Sequence, residues 1–384
     1  MQALRKFVAP ELVMGQGAIN LAGRYAVNFG AKRVLVVTDP GVQSVGWTAR
    51  VVESLTAHGV QSVVFSDVSE NPRSQQVMAG AKLYRECGCD VLVAVGGGSP
   101  MDCAKGIGIV AAEEEQRHVL DFEGVDKIDI PMPPLICIPT TSGSAADVSQ
   151  FAIILDEKRH VKIAIISKML VPDVSLLDPE TLTTMSAELS ACTGLDALTH
   201  AIEAYVSNAH FELADTMALE AIDRVAQYLL PSIAQPQQVE LRNGMMLASL
   251  TAGLAFSNAI LGAVHAMAHS LGGVADAPHG ECNAILLGPV AAMNFSGAPE
   301  RYREVAKRLH IVLPQDDKAA ARALADGINA LRRQAGLTRG LRELGVDRTQ
   351  LRQLAENAMA DPCMATNPRR VSVEEVLQLY EEIF

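Results

Sequence analysis

"VLVAVGGGSPMDCAKGIG", residues 91–108, decides the fold. An unbroken apolar run leads directly into three glycines and then into residues with helical spacing. A strand that is apolar on both faces belongs to a parallel sheet covered on both sides. Three further runs read the same way: "RVLVVTD" (33–39), "SVVFSDV" (62–68) and "PLICIPT" (134–140). Helical stretches at 43–58, 73–87 and 99–114 lie between them. Such alternation predicts an α/β N-terminal domain with a doubly wound, Rossmann-like parallel sheet.

The glycine turn carries two compatible readings. Glycine lets the backbone approach a ligand closely, and the helix-start amides around Ser99 to Asp102 can hold a phosphate. As plain structure, it is a tight turn with Ser99 as N-cap and Pro100 at the first helical position. The pattern is not G-x-G-x-x-G and is weak alone. A second loop, "IPTTSGSAADVS" (138–149), also follows a strand and is dense in small hydroxylated residues. Two such loops at the carboxyl ends of parallel strands are where open α/β sheets bind ligands. Asp39 ends the first strand. Either it accepts from ribose hydroxyls, favouring NAD over NADP, or it serves the turn "TDPG".

After "VSLLDPETL" (174–182) the texture changes to Ala, Leu, Met and Glu at helical spacing. Pro231 and Pro236 divide one helix from the next, and Pro278, Pro289, Pro299 and Pro314 punctuate later segments. At 384 residues the chain is too long for one ordinary core. The division expected is a dinucleotide-binding α/β domain over 1–183 and an all-α helical, metal-binding catalytic domain over 184–384. The acidic run "AAEEEQ" (111–116) reads as a solvated helix end.

Net charge of −12 argues against nucleic acid and anionic membrane as partners. Seven cysteines without a Cys-x-x-Cys pair suit buried thiols in a reducing, cytoplasmic setting. The short motif "CGC" (87–89) is read as a bend before a strand. Neither a signal-peptide core nor a credible membrane span is present in the pattern.

Polar groups then gather in apolar helical segments. "TGLDALTHAIEAY" (193–205) places Asp196 and His200 four apart, and "HAMAHSLGG" (265–273) does the same for His265 and His269. Residues i and i+4 share one helix face. His279 follows in "PHGEC". A lone histidine is more often a satisfied core residue than a ligand, but four of the chain's nine fall in these motifs. Buried polar groups need partners, and one divalent cation meets that need for several at once. An oxygen ligand with three imidazoles suits Fe2+ or Zn2+ with a coordination position left for substrate.

With these motifs the chain resembles the iron-containing, metal-dependent alcohol dehydrogenases of the lactaldehyde reductase and butanol dehydrogenase type. The markers are "VTD" (37–39), "ENP" (70–72), "VAVGGGSPMDCAK" (93–105), "IPTTSG" (138–143), the three histidine motifs and "NPR" (367–369). They cover nearly the whole chain. The resemblance implies that Asp196, His200, His265 and His279 ligate the metal. It implies that His269 lies near the nicotinamide and substrate rather than on the ion. It also implies cofactor contacts at Gly97, Gly98, Ser99 and Asp102, at Thr140, Thr141, Ser144 and Ser149, and at Asn71 and Lys162. A homodimer is implied, with the amino-terminal strand pairing across subunits.

The activity implied is NAD-dependent, metal-dependent oxidation of a short-chain alcohol, or reduction of the aldehyde, by hydride transfer, with His269 relaying the proton. Phe151, Asn258, Leu261 and Cys363 are candidates to shape the substrate pocket. One loop departs from the family pattern: "TTSGSAADV" (140–148) has Ala145 for glycine, Ala146 for serine and Asp147 for glutamate. If position 145 requires positive φ, alanine costs about 1 kcal/mol there. That departure supports one alternative, a catalytically weak sensor. A zinc polyol dehydrogenase of the glycerol type is the other.

Overall fold

Each of the four apolar runs forms a strand. The computed structural model describes residues 4–113, 117–159 and 161–384, and the acidic run's centre, 114–116, lies outside them. The strands are β1 (Glu11–Met14), β2 (Arg33–Val37), β3 (Gln61–Phe65), β4 (Val91–Gly96), β5 (Gly124–Val125), β6 (Leu135–Pro139), β7 (Phe151–Asp156), β8 (Val161–Ile166) and β9 (Val174–Leu177). Six of them make one sheet in the order β1-β9-β6-β4-β2-β3, with every neighbouring pair parallel.

Alternate residues of this sheet feed two separate cores, which is why its strands read as continuous apolar runs. Val34, Val36, Val93, Val95 and Ile136 pack with helices α1 (Ala22–Asn28) and α3 (Trp47–Ala57). Leu35, Val37, Leu92, Ala94 and Leu135 pack with α4 (Ser74–Glu86) and α5 (Gly98–Ala112). The doubly wound, Rossmann-like sheet expected from the sequence is therefore present.

Local departures have local causes. The stretch 43–58 is two helices, α2 (Pro40–Ser44) and α3, parted at Gly46 with φ 92°. Ser99 is not the N-cap of α5; Gly97 is, so Ser99 and Pro100 occupy the second and third helical positions. Pro100 is still tolerated there because those amides lack intrahelical partners anyway. The Ser99 hydroxyl instead donates to the carbonyl of Glu70. The antiparallel β7–β8 pair, extended by β5 into a second three-stranded sheet, was not anticipated.

No strand follows β9 among the described residues. The helices are α6 (Ala187–Val206), α7 (Glu212–Ala234), α8 (Val239–Ala259), α9 (Ala263–Ala275), α10 (His279–Asn294), α11 (Pro299–Arg308), α12 (Asp317–Gln334), α13 (Leu351–Ala360) and α14 (Val373–Ile383). Two prolines do not break helices as expected: Pro231 lies inside α7 and Pro289 inside α10. Each removes one backbone donor, a loss that the buried faces of these helices outweigh.

Two compact units result. The sheet unit comprises Val8–Met185 with Gln237–Met246, and the helical unit Ser186–Pro236 with Leu247–Phe384 and the described residues before Val8. No single described helix is long and apolar enough to cross a membrane; α8 and α9 pass that test only as a pair bent by 101°.

Candidate metal centre

Three helices of the helical unit each carry an i, i+4 pair at the site: Asp196 and His200 on α6, His265 and His269 on α9, His279 and Asn283 on α10. The Asp196 Oδ1 atom stands 4.0 Å from His200 Nε2, 3.8 Å from His265 Nε2 and 3.7 Å from His279 Nε2. One ligand atom from each of these four residues lies within 4.8 Å of the other three. Ligand atoms about 2.0–2.2 Å from a tetrahedral first-row ion stand about 3.3–3.6 Å apart. The observed spacings are a few tenths of an ångström longer, close enough for one ion to draw together. Asp196, His200 and His265 are buried and His279 half-buried.

The chemistry of the donor set supports the same reading. The Asn283 Nδ2 amide lies 2.7 Å from Asp196 Oδ1, 3.1 Å from His265 Nε2 and 3.2 Å from His279 Nε2. An amide has two hydrogens, so it cannot satisfy three acceptors. Its own Oδ1 is buried without a hydrogen-bond partner. A carboxylate and two imidazoles converging on one side chain form a candidate cation site. Ring packing fixes the imidazoles: His200 stacks on Phe256 at 4.2 Å and on His265 at 4.5 Å between centroids.

Glu203, one turn beyond His200 on α6, is a site residue that the sequence reading missed. Its carboxylate accepts from His265 Nδ1 at 2.7 Å and from the amide of Val264 at 2.7 Å. The bond to Nδ1 leaves Nε2 of His265 to face Asp196. Burial pushes Glu203 up to about 7, against the lowering effect of the Val264, Gly262 and His265 amides. Burial also holds His265 well below its usual value, so that ring is neutral. The signal was present in "HAIEAY", where position 203 adds a carboxyl one turn after His200 on the same helix.

Two small motif residues explain how the helices approach. A Cβ on Gly280 would sit 2.5 Å from the Cys192 carbonyl, so only glycine lets α10 start against α6 and deliver His279. Asn367 of "NPR" accepts from the Ala263 amide at 3.1 Å and exchanges amide bonds with Asn294, pinning the start of α9 to α10.

His269 falls outside the four-atom group. Its ring stacks on His279 at 5.3 Å and 18°, and its Nδ1 bonds Asp361 Oδ2 at 2.8 Å. Burial works against the Asp361 charge, but the His269 imidazole and the Cys363 amide outweigh it and hold the carboxyl below its usual value. Cys363 is buried, Leu261 is buried in the link between α8 and α9, and Asn258 bonds back along α8 to the Leu254 carbonyl.

In the sheet unit, the candidate cofactor residues lie on loops after adjacent strands. β2 pairs with β3 on one side and β4 on the other, a topological switch point, and β6 is the next neighbour of β4. Such points are where open α/β sheets bind ligands. Asp39 follows β2, Gly97 and Gly98 follow β4, and Thr140, Thr141 and Ser144 follow β6. The two loops pack closely: a Cβ on Gly97 would lie 3.1 Å from the Thr141 side chain, and one on Gly98 2.9 Å from Ser144. Asp39 does serve the turn, accepting from the Val42 amide as N-cap of α2.

Asn71 is buried in the loop that meets Ser99, and Asp102 is on the first turns of α5. Ser149 caps the Lys105 ammonium together with the Phe151 carbonyl, while Lys162 lies on β8. Ala145 has φ 50°, so the departure noted in the sequence does carry backbone strain.

Fold and site together give a candidate cation centre on helices in a chain that also carries a doubly wound parallel sheet. Residues 9–179 match the family described as iron-containing alcohol dehydrogenase, and residues 190–384 match its C-terminal part. Among curated relatives, the 1,3-propanediol dehydrogenase of Klebsiella pneumoniae is 37% identical over 374 residues, covering 96% of each chain. The NAD-dependent methanol dehydrogenase of Bacillus methanolicus is 34% identical over 374 residues, covering 97% of this chain and 98% of that one. A solved 1,3-propanediol oxidoreductase superposes with a TM-score of 0.94 at 35% identity, covering 100% of both chains. The chain belongs to the iron-containing alcohol dehydrogenase family and is an oxidoreductase. The sensor alternative finds no support in these relatives.

Proposed function

We propose that the protein oxidises a short-chain alcohol, or reduces the matching aldehyde, with NAD and a divalent metal. Iron is the ion the family description favours, and zinc is the alternative that three imidazoles and a carboxylate also fit. The observation that carries the reading is the convergence of Asp196, His200, His265 and His279 around one point.

When bound, the ion supplies Lewis acidity toward an alcohol or carbonyl oxygen, and NAD supplies the hydride acceptor. The chain's own residues do the rest. Glu203 holds His265 in the tautomer that presents Nε2. His269, outside the ligand set, receives the proton that leaves the alcohol. The sheet unit is the dinucleotide-binding domain, with Gly97, Gly98, Ser99 and Asp102 at the pyrophosphate and Asp39, Asn71, Thr140, Thr141, Ser144, Ser149 and Lys162 around the rest of NAD. The helical unit is the metal-binding catalytic domain.

A homodimer is supported by β1, an edge strand with β9 as its neighbour on the inner side. A reducing, cytoplasmic setting is supported by seven free thiols. Metal analysis tests the assignment: Asp196→Ala should hold less than a tenth of the wild-type metal, while His269→Ala should keep its metal and lose about 10²-fold in kcat. Full occupancy in Asp196→Ala contradicts the ligand set, and metal loss in His269→Ala contradicts its separate role.

A further inference from the structure

We propose that Asp361 is a positioning residue for His269, fixing which ring nitrogen takes the proton; this rests on the reading of His269 as the relay. Ninety-two positions separate the two in sequence, yet Asp361 Oδ2 lies 2.8 Å from His269 Nδ1. Both side chains are held from behind. Asp361 Oδ1 accepts the Cys363 amide at 2.8 Å at the start of a 3-10 turn that Pro362 opens. α9 is tied on both sides of His269: Tyr380 donates to the Met267 carbonyl at 2.8 Å, and Ser270 to the Leu354 carbonyl at 2.9 Å.

His269, Asp361 and Cys363 offer ligand atoms near enough to suggest a second cation site. Distance decides against it. At 2.8 Å the imidazole and carboxylate are in direct hydrogen-bond contact, and ligand atoms sharing a tetrahedral ion stand about 3.3–3.6 Å apart. Cys363 is a buried thiol, so it stays protonated and acts as a donor toward Asp361.

The carboxylate has only acceptor oxygens, so Nδ1 carries the hydrogen and Nε2 carries the lone pair. With NAD supplying the hydride acceptor when bound, Nε2 of His269 would take the proton that leaves the alcohol hydroxyl. The imidazolium formed then rests beside the Asp361 charge until the proton leaves to water. The dyad thus supplies the same two services as the buried aspartate of a serine-protease triad, tautomer and charge.

The test pairs a spectroscopic with a kinetic readout. In zinc-loaded protein, nitrogen–proton correlation spectra of the imidazoles should show His269 protonated at Nδ1, and Asp361→Asn should move that proton to Nε2. Asp361→Asn should lose about 10²-fold in kcat with KM, metal content and NADH affinity within twofold of wild type. Asp361→Glu should recover part of the loss. In a His269→Ala background, Asp361→Asn should change kcat less than twofold.

A wild-type His269 protonated at Nε2 overturns the proposal, even if Asp361→Asn does not fold. So does an equal loss in both backgrounds, which marks Asp361 as merely structural. An impaired His269→Ala beside an unimpaired Asp361→Asn refutes the pair and leaves the relay standing. An unimpaired His269→Ala refutes the relay itself, and the pair with it.

Discussion

Glu203 shows how a single carboxyl can belong to two structures at once. It sits on α6 with two candidate ligands, yet it accepts the first amides of α9 and orients His265. Carboxylates are favoured at helix N-termini, and partners behind a metal-bound histidine are worth about 10- to 100-fold in affinity. Glu203→Gln should therefore weaken zinc or iron binding by that factor while the fold persists, as competition with a chromogenic chelator would show. The metal-free protein adds a pH test. Glu203 is raised to about 7 in the folded state against about 4.3 in the unfolded chain. Its contribution to stability is complete below that lower value and is lost as pH climbs through 7. His265, held neutral by burial, titrates in the opposite sense, so the difference between the two proteins is the readout: urea unfolding should show the metal-free protein losing stability relative to Glu203→Gln between about pH 4.5 and 7.5. A difference that does not change with pH removes Glu203 as a titrating group.

Among the elements, the loop after β6 carries the strain that its sequence announced. Ala145 has φ 50° and its carbonyl accepts from the amides of Val148 and Ser149. Asp147 bonds Ser175 across to β9 at 2.7 Å, so the shorter carboxylate at this position still reaches a partner. Ala145→Gly should raise the stability of the sheet unit by about 0.5–1 kcal/mol, because relief of the left-handed strain exceeds the added unfolded-state entropy. Thermal unfolding reads this directly, and a drop in midpoint contradicts it. What could be read from sequence at this scale follows from periodicity. The buried parallel strands β2, β4 and β6 are apolar on both faces and stood out, and the edge strand β3 showed through its β-branched run. β7 and β8 did not, since a charged turn interrupts them and only their pairing with each other makes them a sheet. Pro231 and Pro289 misled for the opposite reason: a breaker signal is local, and tertiary burial overrides it. The i, i+4 rule exposed two of the three site pairs. Asn283 escaped because an asparagine in an apolar helix carries no periodic mark, and Asp361 because its link to His269 exists only once α9 and α13 pack.

At the level of the molecule, the chain crosses between its two units more than once. Residues 237–246, the lead-in and first turns of α8, belong with the sheet, where Gln237 donates to the Thr183 carbonyl and the buried Arg242 reaches the Met185 carbonyl. A single cut near residue 184 would strip this segment from the sheet unit, so the proposed division of roles is tested by ligand rather than by truncation. The candidate metal residues all fall in the helical unit and the candidate cofactor residues all in the sheet unit. A ligand that binds only the folded form stabilises it by about 2.7 kcal/mol at a hundred times its dissociation constant. For units of this size that corresponds to roughly 5–10 °C. Scanning calorimetry of the metal-stripped protein should therefore separate the effects. Zinc should raise the transition that Asp196→Ala abolishes the response of, whereas NADH should raise the transition that Ala145→Gly shifts. Zinc acting on the Ala145-sensitive transition, with the Asp196→Ala response intact, would place the ion in the wrong unit and bring down the division of labour between them.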